Sequence, residues 1–485
     1  MNAFQNWMRS TRTASIAACA GVLTACVTRP VPPPPQELPA AFDNVSPTTG
    51  QWPAQQWYRE FGSEELNGLV DSAVQANSDL EAARARVEQA DARARQAGAA
   101  ILPSVNAIGG GHYFAGSSGQ GSGHELDWSA MLSASYEADF WGKTRATVQS
   151  ARLLAGASRA DRDAVALTTL AGVADGYFQL LAMRERLAIA ESNRDAAKQL
   201  LDVIQARFNV SMASPIDLAT QQAAFATAQI AITDLQQSEY AARTALSLLL
   251  GRVPEKFGVQ GQPLDSLREP AVTAGLPAQL LTRRPDIFLA ETNLRAGNAD
   301  VVAARAAMLP TLSLTASGGV QNPALPGTVL TIAGGGPSLD IAANLVQPIF
   351  DHGKLKAQRA EVEAKDRELL VAYKASILSA LNDVENALST IRHLNQAREY
   401  QVENLAQSER AFEGARLRYQ AGSLDFLTLL EAQRTLYAAR DQFTQYKLAR
   451  LQALVSLCKA MGGGWTAPQA PATAATNSTA GKMGS

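Results

Sequence analysis

The chain has 485 residues and a formal net charge of −2 at pH 7, so it has no basic field that would recruit nucleic acid, and no nucleic-acid partner is expected. Its length would allow two or three ordinary domains. Aromatic residues make up only 6% of the sequence while alanine is abundant, a composition that favours close helix packing over a bulky compact core.

Residues 1–25 are predicted to be a lipoprotein signal peptide. Arg9 and Arg12 supply a positive region, and the short apolar segment that follows, Ala14 to Val22, is too short to span a bilayer. The next four residues, Leu-Thr-Ala-Cys, resemble a bacterial lipobox, which predicts a covalent lipid on Cys26 after cleavage. An ordinary cleaved signal beside an incidental cysteine is the alternative.

Residues 26–60 are predicted to be a lipidated tether that lies over the surface. The segment from Arg29 to Trp57 is rich in proline and lacks apolar periodicity, which favours an extended chain. Val27 follows the lipobox; an aspartate there would favour inner-membrane retention, so its absence indicates the outer membrane. Cys19 would leave with the signal peptide, and the lipid would occupy Cys26. Cys458 would then remain alone, so no intramolecular disulfide is expected.

The first structural repeat is predicted over residues 61–260. Helical spacing runs from about Glu64 to Ala100, where Pro103 ends it. Two strands follow, about 104–114 and 127–141, joined by a Gly/Ser loop at Gly116 to Gly123. The second strand alternates apolar and polar residues, which is typical of a lipid-facing barrel strand, although a half-buried strand of a soluble sandwich alternates as well. Its apolar members are Trp128, Ala130, Leu132, Ala134, Tyr136, Ala138 and Phe140.

Two helices complete this repeat. A proline-free stretch with helical spacing predicts a long helix over 143–209, and a break at Ser211 to Pro215 separates it from a return helix over 216–250. The prolines between Pro254 and Pro277 predict an irregular connector.

The second structural repeat, 261–461, has the same order. We predict a helix over 285–309, strands at about 310–321 and 338–350, a long helix over 353–420 and a return helix over 424–461. Short motifs recur between the halves: Trp141-Gly142-Lys143 matches His352-Gly353-Lys354, and Arg207-Phe208 matches Arg418-Tyr419. Residues 462–485 lack periodicity and are predicted to be a disordered tail.

Four strands of this length can cross an outer membrane, but they cannot close a barrel. Open sheet edges are not tolerated in lipid, and the smallest barrels use about eight strands. Chains must therefore share a barrel. Since the strands pass directly into helices, the fold class is mainly α with membrane β, in which the helices continue as a second tube.

The sequence contains five ordered motifs: LTRRPDI at 281–287, AARAAMLP at 303–310, IFDHGKL at 349–355, EADFWGK at 137–143 and RYQAG at 418–422. These motifs resemble TolC-like outer-membrane efflux proteins, specifically the OprM-like lipoprotein branch. The resemblance covers about Trp57 to Met461. It implies a homotrimer with a twelve-stranded β-barrel and a long periplasmic α-helical barrel. It also implies work as the exit duct of a tripartite pump, docked to a periplasmic adaptor and an inner-membrane transporter of the RND type.

No motif predicts an enzyme or a metal site. Gly142-Lys143-Thr144 ends like a phosphate-binding loop, but Glu137 occupies the position that requires glycine. The four histidines show no metal-ligand spacing. No cofactor is expected beyond the lipid on Cys26.

The turn and return helix from Tyr419 to Arg434 are the predicted periplasmic gate. Asp425, Glu431 and Arg434 supply polar groups there, and symmetry would turn inward carboxylates into charged rings that control passage. The resemblance places a gating acid at Glu431. The alternative is a solvated ion pair between Glu431 and Arg434, worth only about 0.2–0.5 kcal/mol.

The two helical tips are predicted to contact the adaptor, through Ser211 in the first repeat and Gly422 and Ser423 in the second. Ser211 stands where the second repeat has glycine, so the two tips need not engage the adaptor alike. Three alternative functions remain: the channel of a type I protein secretion system, a lipid-anchored coiled-coil adaptor and a free-standing porin. The strands argue against the adaptor.

Overall fold

The structure, a computed structural model, describes residues 38–43, 52–118, 121–272, 275–322 and 336–468. The predicted signal peptide, Cys26 and residues 469–485 lie outside the described residues. Residue contacts divide the chain into two units. We call the unit that contains Val87–Ser158 and Ala290–Lys374 the sheet unit, and the unit that contains Gln36–Arg86, Arg159–Leu289 and Ala375–Ser485 the helical unit.

The described residues form two repeats of the same element order. The first contains α1 (Glu64–Ala76), α2 (Ser78–Ala99), β1 (Ser104–Ser118), β2 (Gly121–Ala138), α3 (Lys143–Asn209) and α4 (Pro215–Leu249). The second contains α5 (Leu280–Arg283), α6 (Pro285–Ala306), β3 (Thr311–Asn322), β4 (Gly336–Val346), α7 (Lys354–Gln420) and α8 (Phe426–Ala460). This order confirms a mainly helical chain with four strands in two repeats.

The run that the sequence predicts as one helix, up to about Ala100, is two helices that meet at Asn77. The Asn77 side chain accepts a hydrogen bond from the N–H of Leu80 (3.0 Å) and donates one to the carbonyl of Leu249 (2.8 Å). Asparagine is a favourable N-cap because its side chain satisfies an N–H group that has no partner within the helix. The continuous helical prediction is therefore wrong at this residue.

The predicted loop at Gly116 to Gly123 is also wrong, because most of it belongs to the strands. β1 and β2 continue until Ser118 pairs with Gly121. Glycine and serine are typical of loops, but in an antiparallel pair the backbone hydrogen bonds do not depend on the side chains. Composition alone therefore placed the end of the hairpin too early.

Both strand-to-helix junctions begin earlier than the predicted strand ends at 141 and 350. After β2, the Asp139 carboxylate accepts the N–H of Thr144 (3.0 Å) and so caps the start of α3. After β4, Pro348 has no N–H for a strand ladder, and Asp351 accepts the N–H of Leu355 (2.9 Å). A carboxylate at a helix start also complements the helix dipole. The other predicted bounds lie within a few residues of the structure.

The core of the helical unit includes the end of the predicted tether. Trp57 and Phe61 are fully buried, and the Phe61 ring lies 4.9 Å from the ring of Phe178 on α3. Large aromatic side chains contribute strongly to a core. The prediction of a surface tether through residue 60 is therefore wrong at its last residues, where aromatic side chains follow the prolines.

The predicted disordered tail is wrong at its start, since residues 462–468 pack within the helical unit. Gly462 has a φ of 86°, and a Cβ there would lie 1.9 Å from the carbonyl oxygen of Arg283. Trp465 donates its indole N–H to Asp163 (2.9 Å) and packs its ring 5.6 Å from that of Phe288. Only glycine, which has no Cβ, permits the close approach of Gly462 to the carbonyl of Arg283.

One helix of the described residues, α3, includes a segment long and apolar enough to cross a membrane by composition. In this structure, α3 places Val173, Tyr177 and Phe178 in the core of the helical unit. The core helix of a protein can satisfy the same criteria as a membrane span, so the composition of α3 does not by itself indicate one.

Candidate functional site

The four strands form one antiparallel sheet in the order β1-β2-β3-β4. Residues directly opposite each other share a face of the sheet, and the register places Leu132 opposite Ala107 and Gly318, and Gly318 opposite Leu339. The apolar alternation of β2 thus continues across the whole sheet. Large members of this apolar face are Val105, Leu132, Leu314, Val320, Leu339, Ile341 and Leu345.

The apolar face is not covered by any residues that the structure describes. Leu339 is 77% exposed, Ile341 75% and Leu132 61%, whereas a soluble sandwich would bury such side chains against a second sheet. The opposite face is mostly small or polar, although it also carries Ile108, Met131 and Val346. Its small and polar members include Ser133, Ser135, Ser313, Thr315, Ser317, Asp340 and Asn344. This asymmetry favours the lipid-facing interpretation over the soluble sandwich.

The sheet has two open edges. β1 pairs only with β2, and β4 only with β3, among the residues that the structure describes. Each outer edge therefore presents unpaired backbone N–H and C=O groups. In lipid these groups need strands from further chains.

The two long helices, α3 and α7, end in the same backbone geometry. Ser211 and Gly422 adopt left-handed conformations, with φ of 60° and 72°. At each tip, the N–H of the following residue donates to the carbonyl five positions back, at 2.8 Å in the first tip and 3.0 Å in the second. Glycine is usual at such a C-cap because it has no Cβ. The serine at the first tip therefore adopts the glycine turn with some strain.

Ser211→Gly is expected to stabilise the first tip by about 0.5–1 kcal/mol, because the steric cost of the left-handed conformation exceeds the entropy that glycine adds to the unfolded chain. Hydrogen exchange of the amides at the first tip should slow accordingly. Gly422→Ala is the matched control and should accelerate exchange at the second tip. Equal or faster exchange in Ser211→Gly would contradict the strain.

Both return helices start with a capping side chain. Ser214 accepts the N–H of Asp217 (3.1 Å), and Asp217 accepts the N–H of Ser214 in return. At the second tip, Asp425 accepts both the hydroxyl (2.7 Å) and the N–H (2.9 Å) of Thr428. These hydrogen bonds, with the hydroxyl contributing most, lower the pKa of Asp425 below its usual value. The predicted gate residue Asp425 is thus an ionised helix cap.

The predicted gate residue Tyr419 is buried inside the second tip. The Tyr419 ring lies 6.2 Å from the ring of Phe426. The guanidinium of Arg207, which is on α3, lies 4.4 Å from the centroid of the Tyr419 ring. Arg207 also donates to the carbonyls of Tyr419 (3.1 Å) and Gln420 (3.3 Å) at the end of α7. The sequence analysis assigned no role to Arg207. The recurrence of Arg207-Phe208 as Arg418-Tyr419 in the second repeat was the signal that could have identified it.

Glu431 and Arg434 are both exposed on α8. The ion pairs among the described residues do not include one between them, so the solvated-pair alternative is not formed in this structure. Of the two leucines beside them, Leu430 is buried in the tip cluster and Leu427 is 68% exposed. Glu431 therefore keeps a solvent-facing carboxylate next to an exposed apolar side chain.

A groove of about 540 Å³ lies between α3, α4 and α8, and Arg434 lines it. Two contacts between α3 and α8 form part of its lining: an ion pair of Arg186 with Asp441 (2.6 Å), and a hydrogen bond from the Tyr437 hydroxyl to the carbonyl of Asn193 (2.7 Å). These contacts hold α8 against α3. They fix where the predicted gate side chains emerge.

The second arginine of the LTRRPDI motif, Arg284, contacts three helices of the helical unit. Arg284 is buried and donates to Asp286 (2.6 Å), to Asp383 on α7 (3.0 Å) and to the carbonyl of Ala460 at the end of α8 (2.9 Å). Burial lowers the pKa of Arg284, but its hydrogen bonds with the two carboxylates outweigh burial and raise it. This motif therefore stabilises the fold; none of its contacts involves a tip residue.

Comparison with known proteins assigns the family. The model of the outer membrane efflux protein family matches residues 69–252 and 276–463, one match in each repeat. The pyoverdine export outer membrane protein OpmQ of Pseudomonas aeruginosa is 40% identical over 447 residues, which are 88% of this chain and 93% of the relative.

Two further likenesses cover similar lengths. The cation efflux system protein CusC of Escherichia coli O6:H1 is 29% identical, over 90% of this chain and 94% of the relative. The solved structure of the outer-membrane channel OprN superposes with a TM-score of 0.83 at 26% identity, and the match covers 91% of this chain and all of that one. The chain therefore belongs to the outer membrane efflux protein family, and it is an outer-membrane channel of an efflux pump rather than an enzyme.

Proposed function

We propose that three copies of the chain form one channel, in which their sheets close a twelve-stranded barrel and their helices a periplasmic tube. The observation that carries this proposal is the sheet: its apolar face is exposed and both of its edges are unpaired among the described residues. Neighbouring copies would pair β1 of one chain with β4 of the next. This closure satisfies the edge groups that lipid cannot.

The experiment is light scattering of the protein purified in detergent, with the detergent mass subtracted. We expect the mass of three chains and a species that resists dissociation in sodium dodecyl sulfate until it is heated. A monomer, or a protein that partitions into the aqueous fraction without detergent, would overturn the proposal.

We also propose that the mature chain is lipidated at Cys26. The lipobox carries this proposal, and one of the chain's relatives is named as an outer membrane lipoprotein. Metabolic labelling with an alkyne fatty acid should label the wild type but not Cys26→Ser. Several acyl chains anchor a protein firmly, yet the barrel should still hold Cys26→Ser in the membrane.

The proposed partners are a periplasmic adaptor and an inner-membrane transporter of the RND type, with the adaptor contacting Ser211, Gly422 and Ser423. The similar backbone geometry of the two tips supports adaptor contacts at both. Site-specific photocross-linking from Ser423 should capture the adaptor, whereas capture from an exposed position far from the tips, such as Leu248, should fail. Failure of both would reject the tip contact.

The proposed cargo is a small organic molecule of the siderophore type. The relatives named for pyoverdine export are 40% and 39% identical to this chain, compared with 29% for the cation efflux relative. In a host that lacks its own pyoverdine channel, expression of this chain should return pyoverdine to the medium. Restored tolerance of metal cations without pyoverdine release would reject this cargo.

Glu431 and Asp425 are proposed to supply carboxylate rings at the periplasmic gate. The double variant Glu431→Gln with Asp425→Asn removes both charges yet keeps a competent helix cap, since asparagine caps as well as aspartate. Carboxylate rings select which ions pass, so we expect a severalfold change in conductance and a loss of cation preference in planar bilayers. Asp217→Asn, at the first tip, is the control and should conduct like the wild type; unchanged conductance in the double variant would reject the gate.

A further inference from the structure

The contact that Arg207 makes at the second tip has no counterpart at the first tip among the residues that the structure describes. By the repeat match, Arg418 corresponds to Arg207, and Phe208 corresponds to Tyr419. Arg207 stacks on its ring and caps its helix end. The Arg418 side chain is exposed and makes no hydrogen bond, ion pair or ring contact with any residue that the structure describes.

The carbonyl groups at the end of α3 have the same geometry as those at the end of α7. The carbonyl of Tyr419 accepts the N–H of Gly422 (3.0 Å), and that of Phe208 accepts the N–H of Ser211 (2.9 Å). A carbonyl oxygen has two lone pairs; at the end of α7 the second receives Arg207. At the end of α3, no donor among the described residues takes that place.

The aromatic rings of Tyr419 and Phe208 also differ in how far they are covered. Tyr419 is only 6% exposed, because Arg207 and Phe426 cover it. Phe208 is half-buried and has no cation over its ring among the described residues. The first tip thus presents a partly exposed aromatic ring and helix-end carbonyls that can accept further hydrogen bonds. The second tip presents Arg418, whose side chain has no partner within the described part of the chain.

We infer that Arg418 stacks on Phe208 of the neighbouring copy and donates to the carbonyls of Phe208 and Asn209 at the end of that copy's α3. This inference rests on the proposed homotrimer. In a closed ring of chains with two similar tips each, the contact from the first tip to the second within a chain recurs as a contact from the second tip to the first of the next chain.

The chemistry of the contact suits its place. A guanidinium is planar, so it covers an aromatic ring and directs N–H groups at carbonyls in its own plane. Positive charge also complements the negative end of a helix dipole. With the contact made by every copy, six arginines cap six helix ends alternately within and between chains. The ring of tips is then continuous.

The direct test is cross-linking of the purified full-length channel. Arg418→Cys with Asn209→Cys is treated with a bifunctional maleimide about as long as an arginine side chain. We expect covalent dimers and trimers on a denaturing gel and none from either single variant. Arg207→Cys with Gln420→Cys calibrates the reach. Its link lies within one chain, so mass spectrometry detects one added linker while the denaturing gel shows no dimer. Burial raises the pKa of the Cys458 thiol to about 12, so this cysteine stays unreactive.

The outcomes separate the contact from the homotrimer. A light-scattering mass of three chains without inter-chain product, while the calibrating pair links, would overturn the contact and leave the homotrimer standing. A monomeric mass would overturn both.

Hydrogen exchange gives a second readout with milder variants. Arg418→Ala should accelerate exchange at the end of α3 by roughly two- to fivefold, although Arg418 lies on α7. Arg416→Ala, whose ion pair with Glu413 stays on its own helix, should leave that segment unchanged. Equal exchange in the two variants would also overturn the contact.

Discussion

Arg284→Ala is expected to lower the free energy of unfolding by about 2–4 kcal/mol, because it removes a buried guanidinium and leaves its acceptors without donors. The side chains of Asp286 and Asp383 are 40% and 44% exposed, so water can partly replace the lost ion pairs. The carbonyl of Ala460 lies at a buried residue and loses its charged donor outright. Urea unfolding in detergent, followed by far-ultraviolet circular dichroism, measures the change.

The neighbouring arginine supplies the control. Arg283 lies with its guanidinium 4.8 Å from the ring centroid of Trp52, a contact worth about 0.5–1 kcal/mol near the surface. Arg283→Ala should therefore cost much less than Arg284→Ala. Arg284→Lys should be intermediate, since an ammonium keeps the charge but not the planar fork. Similar losses in Arg283→Ala and Arg284→Ala would show that the buried network is not the source of the stability.

The fold class was predictable because its signals are periodic. Alternation in β2 and long helical spacing in α3 and α7 extend over many residues, and the repeat supplies a second copy of each signal. The junctions were less predictable, because single side chains decide them. Asn77 divides one helical run and Asp139 ends a strand through hydrogen bonds that periodicity does not contain.

Some features of the candidate site were predictable from the sequence and others were not. The residue types at Ser211 to Pro215 indicated a helix break, and the structure has a turn there. Whether a polar residue faces solvent or caps its own helix depends on geometry: Asp425 binds Thr428, whereas Glu431 is exposed. The partner of Tyr419 lies more than two hundred residues away along the sequence, on α3. Such a contact requires the packing of the two repeats, which a single sequence does not reveal.

Ile341→Lys should have the second large effect, on assembly in the membrane. Ile341 is opposite Ala316 on the apolar face and is 75% exposed. A lysine on the lipid face of a barrel costs about 2–4 kcal/mol near the bilayer midplane and less toward the interfaces. Three chains would carry the charge together. The yield of heat-resistant trimer refolded into lipid vesicles should therefore fall sharply.

Ala342→Lys is the matched control, because the next residue along a strand points to the opposite face of the sheet. Ala342 pairs with Thr315 on the polar face, where a lysine would meet water inside the proposed barrel. Its yield should stay near that of the wild type. If Ala342→Lys lowered the yield and Ile341→Lys did not, the faces would be reversed, and the apolar face would line an interior rather than contact lipid. Because the two positions share strand, depth and substituent, only the direction of the side chain separates these outcomes.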